Sequence, residues 1–555
     1  MEKSNTVQEL TSQIWSMADE LRGNMDASEY RNYILGFIFY RYLSEKQEKY
    51  LLDNDIIEVE DGETFQEVYE REAVGEELRD FIDDISTNIG YAIEPEYTWT
   101  KIIDKIHNGD MKSSDFQAMF ESFGANAKVN ANSVKDFKGV FSDVSIQNTR
   151  LGENTAARGK TLSSVVELVD KIDYKDEGGR DVLGDIYEFL IAKFAGNSGK
   201  KAGEFYTPHE VSKLLAQLAV AEGNQGSDTE FSVYDFAMGS GSLLLTVRDY
   251  IDQSGKSPAF KIRYYGQELN TTTYNLARMN LMMHDVEFDE MDVNNADTLE
   301  ADWPSKKNQV GIEQPQVFDA IVANPPYSAK WDNNDSKMKD PRFKDYGALA
   351  PKTKADYAFL LHGLAHLKKE GRMAIVLPHG VLFRGAKEGK IREALLEKNQ
   401  IDAVIGLPAN LFYSTSIPTV ILVLKKYRDR DDVMFINAQD CFEKQKNQNI
   451  LRDEDIQKIM DAYLKREDVE KFAHVATLDE IRENDYNLNI PRYVDTFEEE
   501  PEIDLGELTK DMQKTNEEIK NTEKELVGML KELVSADTKT QNDLDEFIKM
   551  MEKGL

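Results

Sequence analysis

The residues whose types and order point most directly to chemistry are Asn324-Pro325-Pro326-Tyr327, which follow the apolar run 318–323. The two prolines remove two backbone donors and disfavour helix and sheet geometry, so nearby carbonyl groups stay free to accept hydrogen bonds. The Asn324 oxygen and the Pro325 carbonyl can together accept both protons of an exocyclic amine, which directs the nitrogen lone pair toward an electrophile. Tyr327 offers a flat face on which a flipped nucleobase can stack. An Asn-Pro pair often only begins a turn, but its place at the end of a strand favours a binding site.

A second set of residues fits a nucleoside-bearing cofactor. The predicted strand 231–236 and the turn that follows it contain Asp235, Gly239, Ser240, Gly241 and Ser242. Glycine lets the backbone turn sharply and approach a ligand closely. The next strand ends in Glu268, whose carboxylate can accept hydrogen bonds from both ribose hydroxyls. Glu268 lies 27 residues after Gly241, beyond the roughly 20 of dinucleotide folds, and the third glycine of that fingerprint is absent. A single nucleoside is therefore favoured over a nicotinamide dinucleotide.

Asp297 follows a candidate third strand. Its carboxylate can receive the amino group of an adenine ring, but aspartate at such positions often only caps a helix. The residue pattern leaves both roles open.

His362 and His366 stand four residues apart on a predicted helix, a spacing that metal ligands use. The residues between them lack the general-base glutamate of zinc hydrolases. We interpret the two histidines as a core or surface pair and predict no metal site.

The elements that must position these side chains are strands alternating with helices. Strands are predicted at 231–236, 264–267, 318–323, 373–377, 403–407 and 419–424. Most are continuous apolar runs, as in strands that helices cover on both faces. The sequence therefore predicts an α/β fold, with a doubly wound, Rossmann-like domain over residues 165–475.

The flanking regions are predicted to be helical. Residues 1–160 form a helical N-terminal domain, in which the apolar stretch Tyr33–Tyr40 is a buried helix. Residues 500–555 form a C-terminal helical tail. Within it a strict seven-residue repeat predicts a coiled-coil arm, although a helix packed on its own body is equally compatible. The repeat consists of Leu505, Met512, Ile519, Leu526 and Leu533.

Composition limits the classes of function. The 555 residues include 67 basic and 102 acidic side chains, a net charge of −35. This excludes a histone-like protein that holds nucleic acid by bulk charge. A single cysteine, Cys441, excludes internal disulfides and fits a reducing compartment. Neither a signal peptide nor a membrane-length apolar run is recognised, so a cytoplasmic protein without membrane contact is expected.

Taken in order, these residues resemble the adenine-N6 DNA methyltransferases that use S-adenosylmethionine. A cofactor motif before the catalytic motif is typical of the gamma class, which has a further cofactor segment upstream. That place is held here by Glu204, Phe205, Tyr206, Thr207, Pro208 and His209. The sequence is more similar still to the modification subunits of type I restriction–modification systems. These share the helical N-terminal domain, the Phe-Tyr-Thr-Pro sequence, a block like 407–412 running into 417–419, and a helical tail.

The resemblance implies a role for each site residue. Asp235 to Ser242 would hold the methionine part of the cofactor, Glu268 its ribose and Asp297 its adenine. Asn324, Pro325, Pro326 and Tyr327 would hold the target base as catalytic residues. Phe236-Ala237-Met238 stands where the family usually has Pro-x-Cys or Pro-x-Ala. We expect altered packing there and retained activity.

The resemblance also implies partners. DNA would be the substrate, and a separate specificity subunit would read its sequence, with two methylating chains flanking one reader. A restriction subunit is a further candidate partner. In line with this, no helix-turn-helix or zinc finger is recognised here. A basic stretch beside Tyr327 can contact the DNA backbone or form a solvated loop. It comprises Lys330, Lys337, Lys339, Arg342, Lys344, Lys352 and Lys354.

Two other readings compete with DNA methylation. The Asn-Pro-Pro-Tyr motif also serves methyltransferases of protein glutamine or of RNA, but those are usually smaller and lack the helical flanks. A silent scaffold in a DNA-bound complex is the other alternative. It is disfavoured by the intact Asp235, Gly239, Gly241, Glu268 and Asn324.

Overall fold

The chain folds into two compact units, Met1–Asp495 and Thr496–Leu555. The computed structural model describes Trp15, Met25, and residues 27–127, 137–172, 174, 183–197, 207–221, 230–253, 261–300, 303–307, 311, 313–412, 416–446, 448–495 and 504–554. In this part of the chain, no helix has the length and apolar character needed to cross a membrane.

The first unit begins with helices, as the sequence predicts. They are α1 (Ala27–Asp53), α2 (Phe65–Glu72), α3 (Gly75–Ile89), α4 (Trp99–His107), α5 (Ser113–Asn126), α6 (Thr155–Asp170) and α7 (Leu183–Asn197). Side-chain caps mark several starts: Thr64 and Glu67 form a capping box on α2, and Thr98 accepts the Lys101 N–H of α4.

Helix α1 forms the centre of this helical region. Ile34, Phe37 and Ile38 are completely buried, and residues 33–40 are all buried. A helix that is apolar on all sides must be surrounded by protein, so the predicted buried helix is confirmed.

The remainder of the first unit alternates helices and strands. In chain order these are α8 (His209–Val220), β1 (Glu230–Asp235), α9 (Ser242–Gln253), β2 (Lys261–Glu268), α10 (Thr271–Met283), β3 (Met291–Asn295), β4 (Ser305–Lys307), β5 (Glu313–Pro315), β6 (Phe318–Ala323), α11 (Asp356–Ala365), β7 (Leu367–Pro378), α12 (Ala386–Glu397), β8 (Ile401–Gly406), β9 (Thr419–Lys425), β10 (Asp432–Asn437), β11 (Glu443–Lys444), β12 (Asn449–Ile450), α13 (Asp453–Lys465), β13 (Ala473–Thr477) and α14 (Leu478–Glu483).

Nine strands form one sheet in the order β13-β10-β8-β9-β7-β6-β1-β2-β3. Strands β3, β2, β1, β6 and β7 run parallel, whereas β9 is antiparallel to both β7 and β8. All six residues of β6 and of β8 are buried, as expected for strands covered on both faces. The predicted α/β, doubly wound architecture is confirmed. Because the chain passes from β3 at one edge back to β6 beside β1, the carboxyl ends of β1 and β6 flank the switch point where such sheets bind ligands.

At the opposite, amino end of the sheet, a buried carboxylate joins three strands. Asp319 Oδ2, at the start of β6, accepts the Ser232 N–H at 2.9 Å and the Ser232 hydroxyl at 2.7 Å. Lys368 Nζ lies 2.7 Å from the same oxygen. These bonds fix β1 against β6 and β7 far from the strands' carboxyl ends.

In the second unit, residues 504–554 are described and form two helices, α15 (Leu505–Lys531) and α16 (Thr538–Gly554). They contact each other: Val527 and Ile548 are buried, and Lys531 Nζ lies 2.6 Å from Glu552 Oε1. The helical tail is confirmed, but one continuous heptad seam is wrong at its last position.

Leu533 follows the end of α15, so it cannot extend that helix's stripe. The stripe ends there because a turn at residues 532–537 separates α15 from α16. The Asp537 carboxylate accepts the Thr540 N–H at 2.9 Å, and the Asp537 N–H donates to Ser535 Oγ. These short polar side chains hold the turn and cap α16.

Candidate active site

The glycine turn follows β1 directly. Gly239 and Gly241 have φ of +54° and +80°, the left-handed region that glycine adopts without strain. The turn is held by the Met238 N–H, which donates to the Gln267 carbonyl at 2.9 Å, and by the Asn280 side chain, whose Nδ2 donates to the Ser240 carbonyl at 3.0 Å. Strand β2 and helix α10 therefore both support the turn.

The two serines of this turn contact each other. Ser240 Oγ and Ser242 Oγ lie 2.9 Å apart, and Ser242 begins α9. The turn thus presents its backbone and two hydroxyls at the N-terminus of a helix, a favourable position for the negative end of a ligand.

Asp235 is completely buried at the end of β1. Its Oδ1 accepts the Ala237 N–H at 2.9 Å, while Oδ2 has no hydrogen-bond partner among the described residues. Burial raises the pKa of this carboxyl to about 8, and the nearby Glu268 adds to the increase. An orphaned buried oxygen of this kind is a candidate to receive a ligand.

Glu268 ends β2 and faces the same turn. Its Oε2 accepts the Gly239 N–H at 3.1 Å, and its Oε1 accepts the Asn270 N–H at 2.8 Å. The residue predicted to hold a ribose therefore also braces the glycine turn.

Asp297 follows β3 and is partly exposed. Its Oδ1 accepts the Leu299 N–H at 2.9 Å, so it caps a turn. The neighbouring Thr298 hydroxyl donates to the Phe236 carbonyl at 2.6 Å. Asp297 thus lies in a segment that is tied to β1, beside the glycine turn.

The Asn324–Tyr327 tetrapeptide begins immediately after β6. Asn324 and Pro325 are buried and Pro326 is exposed. The Tyr327 hydroxyl donates to Asn324 Oδ1 at 2.9 Å, and Asn324 Nδ2 donates to Thr207 Oγ1 at 3.0 Å. The Asn324 amide is therefore oriented from both sides, with its oxygen toward Tyr327.

Tyr327 is largely buried, and burial raises the pKa of its phenol. Its ring meets Phe412 edge to face, with centroids 6.1 Å apart and planes at 83°. Phe412 closes the block 407–412, which the family resemblance singled out without a role. The two rings together form an aromatic corner next to Asn324.

The upstream segment is only partly placed. Glu204, Phe205 and Tyr206 lie outside the described residues. Thr207 and Pro208 are buried, and His209 begins α8 with its side chain exposed. Thr207, which the resemblance assigned to the cofactor, contacts Asn324, a role that nothing in the local sequence indicated.

The structure also shows what the unusual residues after Asp235 contact. The Phe236 ring stacks on Phe359 with centroids 6.2 Å apart, and a Cβ added at Gly363 would lie 2.6 Å from Phe236 Cε1. A Cβ at Gly266 would overlap Met238 Sδ. Both large side chains thus pack against glycines, Met238 against Gly266 of β2 and Phe236 against Gly363 of α11.

The two histidines belong to the core beneath the site, where both are buried. His362 Nε2 lies 2.9 Å from the Tyr234 hydroxyl, and His362 Nδ1 lies 3.1 Å from an Arg342 nitrogen. His366 Nδ1 lies 2.7 Å from the Gln316 carbonyl. Burial lowers the pKa of His362, as expected for a neutral imidazole in a structural network.

Comparison with known proteins identifies relatives along almost the whole chain. The N-6 DNA Methylase family matches residues 178–502, and the HsdM N-terminal domain family matches residues 10–169. The type I restriction enzyme MpnII methylase subunit of Mycoplasma pneumoniae is 37% identical over 547 residues, which are 96% of this chain and 97% of that protein. The type I restriction enzyme MjaIX methylase subunit of Methanocaldococcus jannaschii is 27% identical over 558 residues, 95% of this chain and 91% of that protein.

Solved structures agree. The crystal structure of the type I restriction-modification system methyltransferase subunit from Streptococcus thermophilus is 45% identical and superposes with a TM-score of 0.78. The match covers 88% of this chain and 100% of that chain. These relatives support neither a methyltransferase of protein or RNA nor a silent scaffold. The chain belongs to the N-6 DNA methylases, among the methylase subunits of type I restriction enzymes.

Proposed function

We propose that this chain transfers a methyl group from S-adenosylmethionine to N6 of an adenine that has left the DNA duplex. The proposal is carried by one observation. The Asn324 amide is held by Thr207 and Tyr327 at the end of β6, on the strand that neighbours β1 and its glycine turn.

The residues beside the glycine turn fit the cofactor. Asp235 keeps one buried oxygen free among the described residues, which suits the cationic methionine part. A Cβ position at Gly239 has open space around it, so the backbone there can be approached closely. Glu268 places a carboxylate where it can accept ribose hydroxyls, and Asp297 has one carboxylate oxygen beyond the one used in its cap. When bound, S-adenosylmethionine supplies a methyl group on a positively charged sulfur, open to direct attack by an amine.

On the other side of the switch point, Asn324 Oδ1 and the Pro325 carbonyl would accept the two N6 hydrogens of adenine. A carbonyl oxygen has two lone pairs, so Asn324 can keep the bond from Tyr327 and still accept a hydrogen from the amine. These bonds return electron density to a nitrogen whose lone pair is otherwise drawn into the ring. The proton released from N6 passes to solvent, so the protein needs chiefly to hold two reactants in line.

Tyr327 and Phe412 would receive the base itself. Their edge-to-face corner offers one ring for stacking and a second that limits how far the base can slide. Stacking of a base on an aromatic side chain contributes about 1–3 kcal/mol, which helps to offset the cost of leaving the duplex.

We further propose that a specificity subunit reads the DNA sequence, with two copies of this chain on each reader, and that a restriction subunit can join them in the cytoplasm. The apolar positions of α15 support a protein partner: Leu505, Met512, Ile519 and Leu526 are 44–73% exposed. An exposed apolar stripe of this length is typical of an interaction surface.

The test is methylation-sensitive sequencing of the host genome with the gene present, deleted, and restored as wild type or as Asn324→Ala. N6-methyladenine at one recurring sequence should disappear on deletion, return with the wild-type gene, and stay absent with Asn324→Ala. An unchanged methylation pattern after deletion would refute the proposal. In vitro, the chain alone should methylate DNA poorly until the specificity subunit is added.

A further inference from the structure

The segment 328–355, which we name the connecting segment, leaves the Asn324–Tyr327 tetrapeptide and returns to the start of α11. Hydrogen bonds hold its two ends together, and we name this place the neck. The Ala355 N–H donates to the Ala329 carbonyl, and the Trp331 N–H donates to the Lys352 carbonyl, both at 3.0 Å. The Trp331 indole N–H reaches the Pro351 carbonyl at 3.1 Å.

This segment carries the basic stretch noted in the sequence, but not all of it faces solvent. Lys337 pairs with Glu300 at 2.9 Å, and the buried Arg342 pairs with Asp340 at 2.7 Å. The exposed members are Lys330, Lys339, Lys344 and Lys352. These lysines lie on a segment whose first residue, Ser328, adjoins Tyr327.

Asp356 closes the neck of the connecting segment. Its side chain is 1% exposed. Oδ1 accepts the Ser328 N–H at 2.7 Å, and Oδ2 lies 3.1 Å from an Arg384 terminal nitrogen. Both carboxylate oxygens are thus used, one on the residue after Tyr327 and one on a cation from the loop before α12.

Ser328 needs such a partner. Its φ is +51°, a left-handed conformation that a residue with a Cβ adopts at an energetic cost. The turn it makes sets the direction in which the chain leaves Tyr327. A charge-assisted hydrogen bond from the Ser328 N–H to a buried carboxylate is a strong way to keep that conformation.

Arg384 orients the carboxylate from the other side. Its terminal nitrogen also lies 3.0 Å from Glu388 Oε1, so the guanidinium is shared between Asp356 and α12. The side chain packs over Gly380, where an added Cβ would overlap it. The Asp356 carboxylate is therefore fixed in place by a second loop.

We infer that Asp356 is a positioning residue for methyl transfer: its carboxylate holds Ser328 in the left-handed conformation that aims Tyr327 and Asn324, and Arg384 orients that carboxylate. This inference rests on the proposed function. Asp356 acts through the backbone of Ser328, while the cofactor side of the site is left unchanged.

The experiment compares Asp356→Ala with Asp319→Ala in the complex of this chain with its specificity subunit. Asp319 is a matched control, because it is also a buried aspartate that accepts a backbone N–H and pairs with a cation, but at the far end of the sheet. Single-turnover methylation, cofactor dissociation constant and melting temperature are measured for each. A wild-type complex that does not methylate adenine refutes the proposed function, whereas the comparison of variants tests only this inference.

We expect Asp356→Ala to slow methylation by about 100-fold, the usual consequence of a small misplacement of reacting groups, with cofactor affinity changed less than about two-fold. Asp319→Ala should change the rate less than about three-fold even where it lowers the melting temperature equally. Ser328→Gly should restore at least about ten-fold of the rate to Asp356→Ala, since glycine adopts positive φ freely. A rate near wild type in Asp356→Ala, an equal loss in both aspartate variants, or no rescue by glycine would overturn the inference.

If Asp356→Ala fails to fold, Arg384→Gln reaches the same carboxylate from a partly exposed position. It should slow methylation about ten-fold without weakening cofactor binding, while Arg384→Lys keeps most of the rate. An unchanged rate in Arg384→Gln would then refute the positioning role.

Discussion

The two halves of the site are built in different ways. The half beside β1 and β2 is braced by elements that follow it in the chain, among them β2 through the carboxylate of Glu268, 29 positions after Gly239. The half after β6 is braced from both directions along the chain: Thr207 lies 117 positions before Asn324, and Asp356 lies 28 positions after Ser328.

The halves also differ in how completely their polar groups are paired. Asp235 keeps an oxygen without a partner among the described residues, whereas both ends of the Asn324 amide are bonded. Polar groups without a hydrogen-bond partner suit a half that binds a ligand, and paired polar groups suit a half that must keep one geometry. The first half should therefore govern affinity and the second should govern rate.

The sharpest test of this division is Asn324→Ala. Removing an oriented acceptor at the reacting atom should lower the methylation rate by about 10²–10³-fold. Cofactor affinity, measured by calorimetry, should stay within about two-fold of wild type. A parallel loss of cofactor affinity would erase the distinction between the halves.

Glu268→Gln addresses the other half with little change of shape. Hydrogen bonds to a charged group contribute about 1.5–3 kcal/mol, so cofactor affinity should fall by about 10–100-fold. The rate at saturating cofactor should change far less. If that rate falls while cofactor affinity is unchanged, Glu268 serves methyl transfer, and the division between the two halves is wrong.

The Thr207→Val variant tests whether Thr207 serves the half that sets the rate or the half that binds the cofactor. The loss of one neutral hydrogen bond, about 0.5–1.5 kcal/mol, should slow methylation about 3–10-fold because the Asn324 amide is less firmly oriented. Thr207→Ser keeps the acceptor and should retain the rate. If Thr207→Val weakens cofactor binding instead, the role implied by the family resemblance applies.

The smallest effect concerns pH. The pKa of Asp235 is about 8 in the folded chain, against an ordinary value near 4 when unfolded. The stability this group contributes is therefore full below about pH 4 and is lost as the pH rises through about 8. Between pH 5.5 and 8.5, the melting temperature of cofactor-free wild type should drop by about 1–3 °C more than that of Asp235→Asn. Equal slopes in the two proteins would contradict an orphaned carboxyl.

Much of the fold and of the candidate site could be predicted from the sequence, because the residues that indicate each element stand next to one another in the chain. The strand 318–323 was predicted with the bounds that β6 has, since a fully buried strand is a continuous apolar run. The glycine turn, Glu268 and Asn324 stand next to strand ends, so the predicted sheet brought them to one edge. The domain boundaries and the roles of the site residues stay predictions.

Other features were missed. Strand β13 is short and only partly buried, and it is identifiable mainly by its pairing with β10. Strand β10 was missed although Val433–Ile436 is a continuous buried apolar run, the same signal that indicated β6. The contacts of Thr207 and Asp356 join segments distant in sequence, and nothing in a helix-starting aspartate indicates which backbone N–H it will meet. The end of the tail's heptad was missed because the seven-residue repeat continues in the sequence to Leu533, whereas the helix has already ended and residues 532–537 form a turn.

The opposed large and small residues near the glycine turn have an evolutionary consequence. Met238 occupies the volume that a side chain at position 266 would need, and Met373 and Phe236 do the same at position 363. Neither partner of such a pair can drift alone, because a bulkier residue collides with its neighbour while a slimmer one opens a void. Sequence change here should therefore proceed by compensated double substitutions, and chains with a smaller residue at 238 should tolerate alanine at 266.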